Sequence, residues 1–414
     1  MNDLYRTFLA LGFLGIILCG LDLMISWGVN IIILALLLTI FLLLGLKVSL
    51  LRLKISLWFI GICVLTIITY VVLDYTIDIE IGIVGFITLI LLAIGVNASV
   101  KTKGFSFALF VFSAVLISLY WPQPFVSIGG FEMSLLIVPL LQLIMFGMGT
   151  SMSIRDFYGV LKMPKGVLVG VICQFTIMPF VGLGLAIIGE FPPEIAAGIV
   201  LIGSSPSGLA SNVMAYLAKA NVALSVTLTA VATLLAPLMT PLLMEHLAGE
   251  FIPIDFWSMM ISIIKIVILP IILGLVFNHF FHGRISWFEK AMPIVSMGGI
   301  AVVITVITAS GRDNLITLGF LLIIAAVFHN LLGYFFGYWG CRIFRMPERD
   351  CRTIAFEVGM QNGGLASGIA LEMGKVATVG LAPAIFGPWM NISGSALASW
   401  WREKQTNKNH ESPH

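Results

Sequence analysis

Charged residues are scarce in this sequence of 414 residues. Asp, Glu, Lys and Arg make up 10% of it, whereas soluble domains carry about 25%. Hydrophobic residues make up 59%, and the mean hydropathy is +1.09. An ordinary soluble globular fold is therefore excluded, and an all-α polytopic membrane protein is predicted. Basic residues lie in short separated groups, so no nucleic-acid-binding face is expected.

Cysteine motifs and common catalytic motifs are also lacking. The five cysteines are scattered without a CxxC pair, which indicates neither a disulfide framework nor a zinc site. No P-loop, nucleophile elbow or HExxH motif is present, so the sequence does not predict an enzyme. The first apolar run has no A-x-A-like cleavage site and leads directly into a second run, which predicts a retained helix.

Apolar runs separated by charged or Gly/Pro-bearing breaks predict fourteen membrane spans. Four precede the rest, at about 8–27, 29–46, 55–73 and 81–97. Ten more follow, near 104–121, 131–153, 165–188, 194–219, 221–246, 258–281, 292–309, 316–344, 351–374 and 376–400. The second run is short, so thirteen spans remain an alternative.

The distribution of basic residues agrees with this count. With fourteen spans and the N-terminus inside, all but three of the 22 lysines and arginines fall on the cytoplasmic side. The exceptions are Lys265 inside a span, and Arg312 and Lys375 outside. We therefore expect a multi-pass protein of the inner or plasma membrane with both termini in the cytoplasm.

The spans after residue 100 form two blocks of five, at about 104–246 and 258–400. Because each block has an odd number of spans, the second must run inverted relative to the first. The predicted organisation is an extra N-terminal membrane region (1–100), two inverted five-span repeats (101–250 and 251–402) and a cytoplasmic tail (403–414). The N-terminal region carries no motif.

The fourth span of each block is interrupted by polar residues, glycine or proline. The first interruption is Ser204–Asn212, where Pro206 removes a helix hydrogen bond and Gly208 relaxes the backbone. The second is Phe356–Gly364, which is rich in glycine. Matching interruptions in two inverted halves point to a midplane binding site of a transporter.

Glu357 is the carboxylate within the second interruption. An uncompensated charge at bilayer depth costs about 3 kcal/mol or more, so Glu357 needs a partner. A loosened helix exposes carbonyl oxygens, and carbonyls with a carboxylate suit a hard cation. Ser211 and Asn212 offer further oxygens at the start of the outgoing half-helix of the first interruption.

Three more polar residues lie in neighbouring spans. Ser225 and Thr229 are four residues apart, so their hydroxyls share one helix face. Each could instead bond back to its own helix or to a neighbouring one. Gln174 is an isolated amide that could equally bridge helices or bind a ligand.

His329–Asn330 is expected to be a satisfied packing pair, and Gly333-xxx-Gly337 predicts close helix packing.

Four strings carry a resemblance to a known family. They are Ala210–Lys219 (ASNVMAYLAK), Asn221–Val226 (NVALSV), Leu234–Pro241 (LLAPLMTP) and Glu357–Asn362 (EVGMQN). Through them, residues from about 98 to 404 resemble the bile acid:sodium symporter family. The resemblance implies ten spans in two inverted repeats, a core domain with two crossing broken helices, and a panel domain packed against it.

The resemblance also implies two transported Na+ ions. The first ion would be bound by Ser211, Asn212, Ser225, Thr229 and Glu357. The second would be bound by Gln174, Glu357, Gln361 and the backbone carbonyls of Val358 and Met360. The substrate would be a small organic anion, bound beside Ser207, Gly208, Leu209, Asn362, Gly363, Met390 and Asn391.

Two segments depart from the family pattern on the substrate side. Ser207–Leu209 stands where many members have Gly-Gly-Thr, and Met390–Asn391 stands where bacterial relatives often have His-Asn. The lost hydroxyl and imidazole remove hydrogen-bonding groups for a small polar anion, so a different or more apolar anion is expected.

The sequence predicts a sodium-coupled symporter working by alternating access. The alternatives are a membrane ligand sensor and a sodium-independent anion carrier on the same fold.

Overall fold

A computed structural model describes residues 106–281 and 286–410, with a few helical positions between 85 and 93. Most of these residues are helical. The helices before residue 250 are α1 (Ser106–Tyr120), α2 (Gln123–Val126), α3 (Ile137–Thr150), α4 (Ile154–Lys162), α5 (Pro164–Ile188), α6 (Pro193–Ser204), α7 (Ala210–Leu217) and α8 (Val222–Ala248). Those after it are α9 (Phe256–Ile263), α10 (Leu269–Phe281), α11 (Ser286–Ser310), α12 (Arg312–Ile343), α13 (Glu348–Gly359), α14 (Gly363–Glu372) and α15 (Leu381–His410).

The remaining elements are short. Strands β1 (Ser127–Ile128) and β2 (Phe131–Glu132) form an antiparallel hairpin in which Ser127 pairs with Glu132. Both residues of its turn are glycines with positive φ, +57° and +85°, which a two-residue hairpin turn requires. A 3₁₀ helix (Met133–Leu136) leads into α3, and a π-helix (Ile264–Ile268) joins α9 to α10.

Five helical stretches in the described chain are long and apolar enough to cross a membrane. They are Met133–Thr150, Pro164–Ile188, Val222–Ala248, Phe256–Phe281 and Arg312–Ile343. Helix α5, at 25 residues, is about 37 Å long, more than the roughly 30 Å hydrocarbon core of a bilayer. Shorter apolar helices are Ala108–Tyr120, Pro193–Ser204 and Ile294–Ser310. The chain is a multi-pass membrane protein.

The helices coincide with the predicted apolar runs between 104 and 400, and the two predicted interruptions separate α6 from α7 and α13 from α14. The four N-terminal runs lie outside the described residues, apart from the few positions between 85 and 93. Helix α15 continues to His410, so no helix end marks the boundary predicted at residue 402.

Residues Phe110–His414 form one compact unit, and its core surrounds α13. A buried cluster joins α5, α8, α12 and α13 through Cys173, Met178, Leu224, Leu228, Cys341, Ile354 and Val358, among others. Helix α12 packs most extensively on α13. A Cβ atom at Gly333 would lie 2.8 Å from the Cα of Gly359, and one at Gly337 would lie 2.9 Å from the Cβ of Val358. The predicted close packing at these two glycines is confirmed.

Helix α3 packs against both α10 and α11 in the same unit. A Cβ atom at Gly149 of α3 would lie 2.2 Å from the carbonyl oxygen of Ile271. One at Gly274 of α10 would lie 2.2 Å from the carbonyl oxygen of Phe146. The backbones of α3 and α10 therefore touch directly, which is how helices associate closely in membranes.

Candidate functional site

Each of the two helix breaks has a local cause. At the first, Ser205 precedes Pro206 and adopts an extended backbone (φ −79°, ψ 154°), because a residue before proline avoids the helical region. At the second, Met360 is extended (φ −116°, ψ 93°) and Asn362 starts the next helix by accepting the Leu365 N–H at 3.0 Å. Helices α6 and α13 therefore end at the breaks, and α7 and α14 begin a few residues later.

The two breaks lie against each other and pair through their backbones. Ser207 lies opposite Gln361 in an antiparallel bridge. The hydrogen bonds of this pairing run from the Gly208 N–H to the Met360 carbonyl (3.0 Å) and from the Asn362 N–H to the Pro206 carbonyl (2.8 Å). Backbone groups released by one break are thus satisfied by the other, as the interior of a membrane protein requires.

Glu357 lies in the last turn of α13 beside this pairing, with 2% of its surface exposed. Its carboxylate accepts hydrogen bonds from four buried hydroxyls. Oε1 accepts from Ser211 (2.6 Å) and Ser225 (2.5 Å), and Oε2 accepts from Ser207 (2.6 Å) and Thr229 (2.9 Å). The donors come from the first break, from α7 and from α8. The sequence alone predicts neither Ser207 as a donor nor a carboxylate fully surrounded by hydroxyls.

The same hydroxyls contact more acceptors than they have protons. Ser225 and Thr229 also approach Asn212 Oδ1, at 2.7 and 3.2 Å, and Ser211 also approaches the Gly208 carbonyl at 2.8 Å. A hydroxyl carries one proton, so several of these oxygen–oxygen contacts lack one. Crowded oxygens of this kind suit a hard cation, which is attracted to lone pairs. We call these six side chains the oxygen cluster: Ser207, Ser211, Asn212, Ser225, Thr229 and Glu357.

Helix α8 is aligned by the residue that precedes it, Asn221. Asn221 caps it by accepting the Leu224 N–H at 3.2 Å, and its carbonyl accepts the Thr353 hydroxyl of α13 at 3.0 Å. From this start, Ser225 and Thr229 follow on one face and reach Glu357. The prediction that their hydroxyls point the same way is confirmed, and their contacts with Glu357 argue against simple bonding back to their own helix.

A second group of oxygens surrounds Gln174 and Gln361, next to the same pairing. Gln174 Nε2 donates to Gln361 Oε1 at 2.6 Å and to the Ser205 carbonyl at 2.9 Å. Gln361 Nε2 donates to the Val358 carbonyl at 2.6 Å. Gln174 Oε1 is buried and has no hydrogen-bond partner among the described residues. A buried acceptor without a donor costs free energy, and a cation can satisfy it.

Comparison of the sequence with known proteins identifies the family of this chain. Residues 138–318 match the profile of the Sodium Bile acid symporter family. The chain is 40% identical over 306 residues to the uncharacterized sodium-dependent transporter YocS of Bacillus subtilis (strain 168), which covers 74% of this chain and 93% of that protein. The chain belongs to the sodium bile acid symporter family.

Two further members of the family are similar. The ileal sodium/bile acid cotransporter of Homo sapiens is 35% identical over 273 residues, covering 61% of this chain and 76% of that protein. The probable chloroplastic sodium/metabolite cotransporter BASS1 of Oryza sativa subsp. japonica is 30% identical over 333 residues, covering 79% of this chain and 78% of that protein. The family predicted from the four sequence strings is confirmed.

Most residues expected beside the anion lie near the break pairing. Gly208, Leu209, Gly363 and Asn391 are half-buried, and the Asn391 amide donates to the Gly387 carbonyl at 2.9 Å. Asn362 is occupied as the cap of α14.

Three positions depart from the family pattern, and two of them, Ser207 and Met390, are more deeply buried than Leu209. The hydroxyl of Ser207 donates to Glu357, and the Met390 sulfur accepts the Gln361 N–H at 3.2 Å. Ser207 therefore bonds to α13 and belongs to the oxygen cluster, and Met390 bonds to Gln361, two residues after the end of α13.

Sequence reasoning missed a polar network behind the second break. Asn330 of α12 donates to the Gly359 carbonyl at 2.7 Å, and its Oδ1 accepts from Ser393 of α15. The Tyr334 hydroxyl lies 3.2 Å from the Ser393 hydroxyl. Asn330 thus satisfies the carbonyl at the end of α13. A polar residue in a long apolar helix was the available signal.

The expectation of a satisfied pair at 329–330 is wrong for His329. Its side chain is fully buried beside Phe386, and neither ring nitrogen has a hydrogen-bond partner among the described residues. Asn330 alone is satisfied, because it reaches the end of α13 while His329 faces an apolar ring.

Proposed function

We propose that the chain is a sodium-coupled secondary transporter that carries a small organic anion by alternating access. One observation carries the proposal: the buried carboxylate of Glu357 lies among hydroxyls whose oxygen contacts outnumber their protons. A cation bound by Ser211, Asn212, Ser225, Thr229 and Glu357 would relieve this crowding. Relatives named as sodium-dependent or sodium/bile acid transporters support the choice of sodium.

A second Na+ is proposed at Gln174, Gln361, Glu357 and the carbonyls of Val358 and Met360. The unpartnered Gln174 Oε1 supports this site. Binding requires the Gln361 amide to turn, because its N–H group now occupies the Val358 carbonyl and its oxygen accepts from Gln174.

Charge balance favours an anionic substrate. Two Na+ ions sharing one carboxylate leave a net charge of +1, which a monoanion neutralises. Helices α7 and α14 both begin at the break pairing, and helix N-termini place partial positive charge there. Movement of two Na+ with one monoanion transfers one positive charge, worth about 2.3 kcal/mol per 100 mV. Uptake insensitive to membrane potential would contradict this stoichiometry.

The proposed organisation follows the family resemblance. Residues 101–250 and 251–402 form inverted five-span repeats that contribute to a core domain and a panel domain. The breaks belong to the core, and its movement against the panel exposes the anion side alternately. The protein lies in the cell membrane in contact with lipid, with both termini in the cytoplasm.

The test is sodium-driven uptake into sealed proteoliposomes. Wild-type protein is screened against small carboxylates and sterol-like anions, with inward sodium or potassium gradients. We expect accumulation that requires sodium. Glu357→Gln keeps the shape but removes the charge, so the half-saturating sodium concentration should rise at least about tenfold. Glu245→Gln, an exposed carboxylate of α8, is the control and should behave as wild type.

Two outcomes select the alternatives. Binding of an anion without accumulation would support a membrane ligand sensor. Accumulation in potassium as fast as in sodium, with sodium-dependent thermal stabilisation absent or unchanged in Glu357→Gln, would support a sodium-independent carrier.

A further inference from the structure

Ser207 differs from the other hydroxyls of the oxygen cluster. Its side chain is 1% exposed, and its hydroxyl makes one hydrogen bond in the described structure, to Glu357 Oε2 at 2.6 Å. Ser211, Ser225 and Thr229 each contact Glu357 and one other acceptor. The proton of Ser207 is therefore committed to Glu357, and the other three protons are not.

This difference matters when a cation binds. A hydroxyl that ligates a cation turns a lone pair toward it and places its proton on another acceptor. Either Ser225 or Thr229 can place its proton on Asn212 Oδ1, which leaves the second lone pair of that oxygen for the cation, and Ser211 can use the Gly208 carbonyl. Glu357 then loses two donors, while Ser207, with no alternative acceptor in the described chain, keeps donating.

The backbone of Ser207 adds a second connection to the same helix break. Ser207 lies opposite Gln361 in the bridge between the two breaks, while its side chain reaches back to Glu357 on α13. Its hydroxyl is thus held in place by the pairing itself. A donor fixed in this way restricts the carboxylate to one orientation without using the lone pairs needed by the cation.

We propose that Ser207 is a positioning residue that holds the Glu357 carboxylate in both the sodium-free and the sodium-bound oxygen cluster, and so raises sodium affinity. The inference rests on the proposed sodium transport. It assigns Ser207 to the cation rather than to the anion. Many family members have glycine in this part of the motif, so the effect is a property of chains that carry serine here.

The experiment uses the full-length protein and sodium alone, followed by uptake. Thermal stability of Ser207→Ala is titrated with sodium without an anion, and uptake is then measured at varied sodium and varied anion. We expect the half-saturating sodium concentration to rise about tenfold in both assays. The KM for the anion at saturating sodium should not change. Ser207→Thr, which keeps the hydroxyl, should restore sodium affinity.

Two further variants protect the test. Ser207→Cys is nearly isosteric but a weak donor, so its half-saturating sodium concentration should rise as that of Ser207→Ala does. It keeps the test decisive if the alanine variant folds poorly. Ser113→Ala removes a buried hydroxyl whose one hydrogen bond among the described residues is to a carbonyl of its own helix, and its sodium titration should match wild type.

The possible failures are distinguishable. If Ser207→Ala and Ser207→Cys titrate like wild type while Glu357→Gln has lost its response, the role of Ser207 is refuted and sodium transport stands. If only the KM for the anion rises, Ser207 serves the anion and the inference is equally wrong. If wild-type protein shows no response to sodium, the proposed function and the inference fall together.

Discussion

At the scale of single residues, Glu357 draws its hydroxyl partners from separate parts of the chain. Ser207 precedes α7, Ser211 belongs to α7, and Ser225 and Thr229 belong to α8. All four lie within 3 Å of its carboxylate oxygens. Since each hydroxyl can either donate a proton or offer a lone pair, the cluster can satisfy the carboxylate with or without a cation.

Thr229 provides the simplest single-residue prediction. Thr229→Val keeps the branched shape and removes the hydroxyl that contacts both Glu357 and Asn212. The proposed site loses one oxygen ligand, so the half-saturating sodium concentration in a thermal-shift titration should rise about tenfold.

Thr233→Val is the matched control for that variant. Thr233 lies one turn further along α8, is equally buried, and bonds to the Thr229 carbonyl. Its removal should leave the sodium titration unchanged. Equal shifts in the two variants would mean that hydroxyl loss acts through helix stability and not through the cation.

Residue spacing predicts part of the oxygen cluster. Ser225 and Thr229 are recognisable because their spacing places them on one helix face. The resemblance places Ser207 on the anion side, and its bond to Glu357 cannot be predicted from local spacing because the two residues are 150 positions apart. Its assignment depends on how the two breaks pair, and no pattern within either segment encodes that pairing.

At the scale of helices, the packing of α12 on α13 fixes the position of Glu357. A Cβ atom at Gly337 would lie 2.9 Å from the Val358 Cβ and 3.0 Å from the Ile354 carbonyl oxygen. Both contacts are with residues within one turn of Glu357 on α13. The contact with the Ile354 carbonyl involves the backbone, which cannot move aside unless the helix moves.

Gly337→Ala should therefore destabilise the protein. An added methyl group in this contact costs about 1–3 kcal/mol of overpacking, more than the roughly 1 kcal/mol that alanine gains over glycine in a helix. Thermal unfolding in detergent should show a lower Tm for this variant.

Gly184→Ala is the control at the same scale. A Cβ atom at Gly184 of α5 would meet nothing within 4 Å, so only the helix preference for alanine acts and Tm should stay equal or rise. A Tm for Gly337→Ala at or above wild type would contradict the tight α12–α13 contact.

The two helix breaks show which features of the helices can be predicted from sequence patterns. Pro206 and the glycines around Asn362 are sufficient to predict that two helices stop inside the membrane region. The stabilisation of the second break is a different matter. Asn330 satisfies the Gly359 carbonyl at 2.7 Å, and this contact depends on α12 crossing α13 at the level of the break.

At the scale of the whole chain, the proposed site is contained in one unit. Its residues lie between Gln174 and Asn391, within the compact unit Phe110–His414. The proposed site is built from residues of this unit, and the sequence assigns the first hundred residues to additional spans.

Deletion of residues 1–97 should therefore preserve sodium binding. We expect the shortened protein, purified in detergent, to show the same half-saturating sodium concentration in a thermal-shift titration as the full chain. Glu357→Gln in the shortened protein should lose the response. A folded shortened protein without a sodium response would show that the N-terminal region contributes to the site.

The sequence by itself determined the membrane class, the apolar helices, the two breaks and the position of Glu357 beside the second break. These properties follow from composition, from short periodic patterns and from local backbone chemistry, which the chain carries wherever it lies in space. Family membership was also readable, because its motifs are continuous strings.

Only the tertiary structure decided which polar groups meet. Pairings such as Ser207 with Glu357, Gln174 with Gln361 and Asn330 with Gly359 join residues 150, 187 and 29 positions apart. A hydrogen bond needs its donor and acceptor within about 3 Å, so small changes in helix crossing create or abolish it. Only the geometry of the two breaks therefore shows that the oxygen–oxygen contacts around Glu357 outnumber the hydroxyl protons.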